Sequence, residues 1–200
     1  MKDQFGIMVG LKKRNAFEGW FCKVHDPESG YMLSVIWGYS TSDEDAHSFL
    51  QITDSLNQDS AYLRYPLDAM TFEEDPFVLH IGPNQFSAQG TVVDVELSGG
   101  ERMKAELQFG PFSPIKQSFL KPNIMGWLHY FPNECNHSIT SMHHTIDGVV
   151  TRGSQKHKIR EGHGYIEKDW GRVSRVDMSG HRRMILCFQT SYSVMQRFRC

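Results

Sequence analysis

Residues 91–109 read T-V-V-D-V-E-L-S-G-G-E-R-M-K-A-E-L-Q-F, and this stretch decides the fold class of the chain. Apolar residues recur at every second position from 93 to 97 and again from 103 to 109, with mainly charged or polar residues between them. Such period-two alternation predicts two strands, each with one apolar and one polar face. The S-G-G-E segment between them predicts the turn of an antiparallel hairpin.

Other short runs rich in aromatic and β-branched residues extend the pattern along the chain. The D-P-E-S-G segment at 26–30 predicts a turn between the first two of these runs. Short strands at regular spacing favour a barrel or a sandwich, so we expect an all-β antiparallel fold. The further predicted strands are Phe17–His25, Tyr31–Trp37, His47–Thr53, Ala61–Tyr65, Phe77–Ile81 and Asn84–Gln89.

Composition narrows the classes of partner. The 200 residues carry a net charge of -2 and a pI near 6.5, which give no electrostatic reason to expect nucleic acid. No stretch approaches the roughly 18 apolar residues of a membrane span, and residues 1–10 are too short an apolar run for a signal peptide. We therefore expect a cytoplasmic protein whose four cysteines are free thiols rather than a disulfide framework.

Residues 162–171, reading G-H-G-Y-I-E-K-D-W-G, concentrate the residues that could perform chemistry. If the segment is a strand, Tyr165, Glu167 and Asp169 share one face, and the residues between them share the other. Two neighbouring acids on an enclosed face raise the proton affinity of one of them, and a carboxyl protonated near neutrality can act as a general acid. The alternative is a solvated strand face, and spacing alone favours that alternative.

Histidines offer a second candidate site. His137, His143 and His144 lie near Glu134 and Cys135, which suggests a metal centre at first sight. Adjacent histidines on a strand point to opposite faces, however, and no H-E-x-x-H or paired-cysteine spacing is present. A role for histidine as a proton carrier is therefore favoured over metal binding.

Four segments in order resemble the tocopherol cyclase family and its bacterial relatives. The segment at 162–171 resembles the family pattern G-x-G-Y-I-E-K-[ND]-W-G, and N-A-F-E-G-W-F-C-K at 15–23 resembles its opening F-E-G-W-Y-[FL]-K. Phe21 stands where that pattern usually has tyrosine. P-N-I-M-G at 122–126 and E-C-N-H at 134–137 resemble the middle blocks. The resemblance covers about residues 15–172.

This resemblance implies a lipocalin-like fold of two related halves with an apolar cavity for a prenylated aromatic or lipid-like molecule. The family reaction adds a phenolic oxygen across the nearest prenyl double bond and closes a chromanol ring without redox change, metal or nucleotide. The resemblance therefore implies no cofactor and no metal, with peripheral membrane contact to collect the apolar ligand. A non-catalytic lipid or carotenoid binder is one alternative. An alkene hydratase is another, because lipocalin-like relatives include hydroxyneurosporene synthase.

By analogy, Glu167 or Asp169 would be the acid, with Tyr165 or His163 orienting the quinol. We expect ligand contacts from four residues in the matching blocks, which are Trp20, Glu134, His137 and Trp170. A fifth contact is expected from Trp127, which belongs to the aromatic sequence W-L-H-Y-F at 127–131.

The resemblance and the proline pattern divide the chain. We expect a first lipocalin-like β unit at 1–110, a proline-rich connection at 111–126 and the start of a second unit at 127–172. Residues 173–200 hold five arginines and one acid, and they depart from the family pattern. A single deleted base after Arg172 would explain them as an out-of-frame tail, which would leave the second half missing and the chain inactive or unstable. The alternative is a genuine divergent terminus.

Overall fold

The computed structural model describes residues 5–55, 59–115 and 135–173, and in these residues the chain forms eleven strands of one antiparallel sheet. A 3-10 turn, Leu67–Ala69, lies between the fourth and fifth strands. The strands are β1 (Ala16–His25), β2 (Met32–Thr41), β3 (Ala46–Asp54), β4 (Asp59–Tyr65), β5 (Met70–Glu74), β6 (Phe77–Ile81), β7 (Asn84–Ser87), β8 (Gly90–Glu96), β9 (Arg102–Phe109), β10 (Cys135–Arg152) and β11 (Gln155–Arg172).

The strand order closes the sheet almost completely into a barrel. It runs β4-β3-β2-β1-β11-β10-β9-β8-β7-β6-β5, so β11 pairs with β1 and the two edges are β4 and β5. The 3-10 turn spans these edges, and beside it the Asn84 amide donates to the Tyr65 hydroxyl at 3.3 Å. The predicted all-β, lipocalin-like antiparallel barrel is confirmed.

The alternating hairpin at 91–109 forms β8 and β9 as predicted, with glycines 99 and 100 at positive φ in the turn. The other predicted strands match β1 to β4, β6 and β7 within a few residues. The acidic sequence E-E-D-P at 73–76 predicts a solvated loop, and this prediction is wrong for its first two residues. Glu73 and Glu74, expected in a solvated loop, lie on the edge strand β5, where exposed acids discourage pairing with another chain.

Side chains from all around the sheet fill the barrel interior. Aromatic rings stack there in pairs, Trp20 on Phe77 with ring centroids 5.5 Å apart and Trp37 on Phe86 at the same separation. The hydrophobic effect of burying these rings, together with the aliphatic residues between them, is the main stabilisation of the fold.

The segment 5–10 packs against the interior core through Phe5 and Ile7 and is held by buried polar groups. Lys168 and Glu18 are both fully buried and form an ion pair with 2.6 Å between Nζ and Oε1. Glu18 also accepts hydrogen bonds from the Met8 and Val9 amides and from the Tyr39 hydroxyl. The Lys168 ammonium also donates to the Gly6 carbonyl and lies over the ring of Trp20, 4.5 Å from its centroid. Both carboxylate oxygens of Glu18 therefore accept hydrogen bonds, and the carboxylate is paired with a cation although its side chain is fully buried.

Strands β10 and β11 form a long hairpin between β9 and β1. The hairpin is irregular, with register shifts after Ile139, Ser141 and Ile146. Gly148 follows the last shift with φ of 155°, and a Cβ there would lie 2.1 Å from the Glu106 carbonyl oxygen. Only glycine allows β9 to approach β10 this closely at that position.

The predicted connection at 111–126 is described only as far as residue 115, and residues 110–115 contain no strand. Strands β10 and β11, expected to begin a second unit, belong to the same sheet as β1 to β9. The division of the chain into two β units stays a prediction, as does the out-of-frame tail, since residues 174–200 lie outside the described part.

Candidate proton-transfer site

The acid-bearing segment is the central part of β11, and its alternation is as predicted. Ile166, Lys168 and Trp170 face the barrel interior, where Lys168 meets Glu18. Tyr165, Glu167 and Asp169 lie on the opposite, outer face, where Tyr165 packs with a second apolar cluster. The acids therefore do not point into the barrel, which is where the resemblance led us to expect the reaction cavity.

Cross-strand pairing brings His137 to the two acids. His137 of β10 is opposite Asp169 of β11, and Gly19 of β1 flanks Asp169 on its other side. Glu167 lies between Phe21 of β1 and Ile139 of β10. Because Gly19 has no side chain, the only side chain opposite Asp169 in these two pairings is the imidazole of His137.

The four polar side chains form a connected set, which we call the outer acid cluster: Tyr165, Glu167, His137 and Asp169. The Tyr165 hydroxyl donates to Glu167 Oε2 at 2.6 Å. His137 Nδ1 lies 2.5 Å from Asp169 Oδ1, and its Nε2 lies 3.6 Å from Glu167 Oε2. One imidazole thus joins both carboxyl groups, and it can carry a proton between them and the surroundings.

The members of this cluster differ in how far they are buried. The side chains of Glu167 and Asp169 are 1% exposed, whereas that of His137 is 19% exposed. Asp169 Oδ2 is buried and has no hydrogen-bond partner among the described residues. Burial and the neighbouring Glu167 raise the pKa of Tyr165 well above its ordinary value, so its hydroxyl keeps its proton. His137 is therefore more accessible to solvent than either of the acids that it contacts.

An apolar floor adjoins the outer acid cluster on the same face of the sheet. Its members are Phe17, Phe21, Ile36 and Phe49, all buried on the outer side of β1 to β3. The ring of Phe21 meets that of Tyr165 edge to face, with 6.5 Å between centroids. Glu167 therefore lies beside aromatic and aliphatic side chains, in a poorly solvated part of the sheet surface.

His163 lies on the same face as the acids but at the exposed end of the row. Its ring is 5.1 Å from that of His143 and 6.2 Å from that of His25, and it makes no described contact with Glu167 or Asp169. The structure thus places this residue outside the outer acid cluster. In the described ranges, no group of three histidine, cysteine or acidic side chains is arranged to hold a metal ion.

His143 and His144 point to opposite faces, as expected for neighbours on a strand. His144 is buried inside the barrel, where Nδ1 lies 3.0 Å from the Ser141 hydroxyl, and burial lowers its pKa to about 4. Its imidazole lies over Gly164, so a Cβ on that glycine would be 2.2 Å from Nε2. The second glycine of the G-x-G pattern is therefore needed to leave room for the His144 ring, and it does not form a turn.

The remaining predicted ligand residues divide into two groups. Trp20 and Trp170 are interior residues beside Lys168, on the other face of the sheet from the acids. Trp127 and Glu134 lie outside the described residues. Glu18, the buried partner of Lys168, is not among the predicted site residues, although period two within F-E-G-W places Glu18 and Trp20 on one face. The floor residue Phe49 is not among them either, because local sequence offers no signal for it beyond strand propensity.

Comparison with known proteins supports the fold alone. No protein-family model and no curated protein sequence matches the chain. Among solved structures, it is similar to a Nitrosomonas europaea protein provisionally assigned as AttH, with a TM-score of 0.52 and 10% sequence identity. The match covers 88% of this chain and 56% of that one, so the chain spans little more than half the length of that relative. That relative has a lipocalin-like fold, as this chain does. The resemblance to tocopherol cyclase stays a prediction.

The described residues include no helix of the length and apolar character that a membrane crossing requires.

Proposed function

We propose that this protein promotes ring closure of a prenylated quinol to a chromanol, with the outer acid cluster as the proton-transfer site. The observation that carries the proposal is the pair of buried carboxyl groups joined by one imidazole next to an apolar floor. The lipocalin-like fold and the resemblance of four sequence segments to the tocopherol cyclase family support it further.

Glu167 is the acid in this proposal. It accepts the Tyr165 hydroxyl at Oε2 and faces His137 Nε2 from the same oxygen. In its protonated form it transfers a proton to the alkene carbon that gives the more substituted cation. Tyr165 keeps its own proton and orients the carboxyl group, since its pKa is raised.

The reaction balances without oxidant, water or metal. Protonation of the alkene leaves a tertiary carbocation, and the phenolic oxygen attacks it to form the C–O bond of the new ring. The phenolic proton passes to His137, which returns one proton to Glu167 across the 3.6 Å that separates Nε2 and Oε2. The product is an isomer of the substrate, and the site regains its starting protonation state.

The test compares Glu167→Gln with Glu106→Gln, a matched change on the exposed face of β9. Each protein is incubated with a prenylated quinol, and chromanol is followed by mass spectrometry. Loss of a positioned general acid lowers kcat by about 100-fold or more, whereas ligand affinity changes little. Glu106→Gln should retain full activity. Equal turnover by both variants would refute the assignment of Glu167.

Two alternatives give different results in the same assay. A non-catalytic lipid or carotenoid binder shows no product with either variant but retains the apolar ligand, which is measured by quenching of tryptophan fluorescence. An alkene hydratase forms a tertiary alcohol heavier than the substrate by one water, because hydration consumes water and ring closure does not.

The proposal includes the expected partners and location. The ligand is an apolar, prenylated aromatic molecule, so contact with a membrane surface would be needed to collect it. Cys22 is a free, buried thiol, which suits a reducing compartment such as the cytoplasm.

A further inference from the structure

We infer that Asp169 is a positioning residue, which fixes the Nδ1–H tautomer of His137 and stabilises its protonated form, rather than an acid that meets the substrate. The catalytic consequence rests on the proposed function, whereas the tautomer and the titration of His137 do not. The geometry behind this inference is the 2.5 Å approach of Asp169 Oδ1 to His137 Nδ1.

A buried carboxylate beside one ring nitrogen decides which nitrogen carries the proton. Asp169 is 1% exposed and can only accept a hydrogen bond when ionised, so Nδ1 of His137 must donate to it. In neutral His137 the lone pair then lies on Nε2, the nitrogen that faces Glu167 Oε2. This is the tautomer that can take a proton at Nε2 and pass it to Glu167.

The same pairing favours the imidazolium form, because the negative charge of Asp169 is close and poorly screened. The other titratable groups that face His137 in the described residues are Glu167, which favours the cation only when it is ionised, and Tyr165, which stays neutral. Strand β1 places Phe17, Gly19 and Phe21 on this side, and Lys23 lies further along it, opposite Tyr165. On β10 itself, Cys135 and Ile139 flank His137.

The described contacts of the two acids differ. Asp169 has His137 as its hydrogen-bond and ion-pair partner, whereas Glu167 contacts both Tyr165 and His137. His137 is the more exposed member of the pair. A molecule that approaches this face therefore meets the imidazole, with Asp169 acting through it.

The experiment measures the ring nitrogens of His137 directly. The full 200-residue chain is labelled with 15N-histidine, and long-range 1H–15N NMR spectra are recorded between pH 4 and pH 9. The His137→Gln variant assigns the signal. We expect neutral His137 to show the Nδ1–H pattern, and we expect Asp169→Asn to lower the midpoint of its titration by about one pH unit or more. Asp94→Asn, which removes a carboxylate of a surface ion pair on β8, should leave it unchanged.

Each outcome decides the inference. An Nε2–H pattern in neutral His137, or an unchanged midpoint in a folded Asp169→Asn protein, would overturn it. If Asp169→Asn fails to fold, the tautomer in the unmodified protein still provides the test. Given turnover of a prenylated quinol, Asp169→Asn should lower kcat about tenfold or more, with a smaller change in KM and a pH profile displaced in the acid direction. Absence of turnover with the expected NMR result would refute the proposed function and leave the positioning role intact.

Discussion

Replacement of Lys168 by methionine should destabilise the protein severely, because it leaves Glu18 as an uncompensated charge inside the barrel. Both side chains are fully buried and their charged atoms are 2.6 Å apart. Removal of one partner from such a pair costs about 3 to 5 kcal/mol of unfolding free energy. For a chain of this size that loss lowers the melting temperature by about 10 °C.

Urea denaturation followed by circular dichroism measures the effect. In the double variant Glu18→Gln/Lys168→Met, the side-chain carbonyl still accepts a hydrogen bond from either the Met8 or the Val9 amide, and the isolated charge is gone. We expect it to be more stable than Lys168→Met alone. The control is Arg64→Met, which breaks a half-exposed pair with Asp45 and should change stability little. If Lys168→Met costs no more than this control, the reasoning about the buried pair is refuted.

Three further predictions concern interior groups. Gly164→Ala places a Cβ 2.2 Å from His144 Nε2, so it should lower the free energy of unfolding by about 1 to 3 kcal/mol in urea denaturation. Adding His144→Ala should restore most of this loss, and additive losses of the two changes would contradict the clash. Burial lowers the pKa of His144 to about 4, so the unfolded chain binds the proton first. Stability on the order of 2 kcal/mol, present above about pH 6.5, should therefore be lost as the pH falls to about 4, and His144→Gln should flatten this dependence. Burial raises the pKa of Cys22 to about 12, so iodoacetamide should modify it far more slowly than Cys135 in the folded protein, and equal rates in peptide mapping would refute this.

The outer acid cluster was only half predictable. Period two along 165–170 gives the separation of Tyr165, Glu167 and Asp169 from Lys168, because alternation is a property of any strand. Nothing in that pattern states which face is inner. The contacts between strands identify the inner face, because Lys168 meets Glu18 in the interior and Tyr165 meets Phe21 on the outer side.

The same limit explains the assignments that the structure changed. His163 shares a face with the acids, but the register places it beside His25 and Thr145 rather than beside His137. Glu73 and Glu74 looked like loop residues because acids are rare in strands, yet an edge strand tolerates them where they remain exposed.

The sequence by itself determined that the chain is built from short antiparallel strands, where most of them begin and end, and which residues share a face. These features depend on contacts between residues close along the chain. Only the tertiary structure decided that β11 lies between β1 and β10, which brings His137 to Asp169 and Glu18 to Lys168. The physical reason is that closure of a barrel fixes strand order and register through the packing of the whole interior. That packing involves residues from all strands, so it cannot be inferred from any one segment.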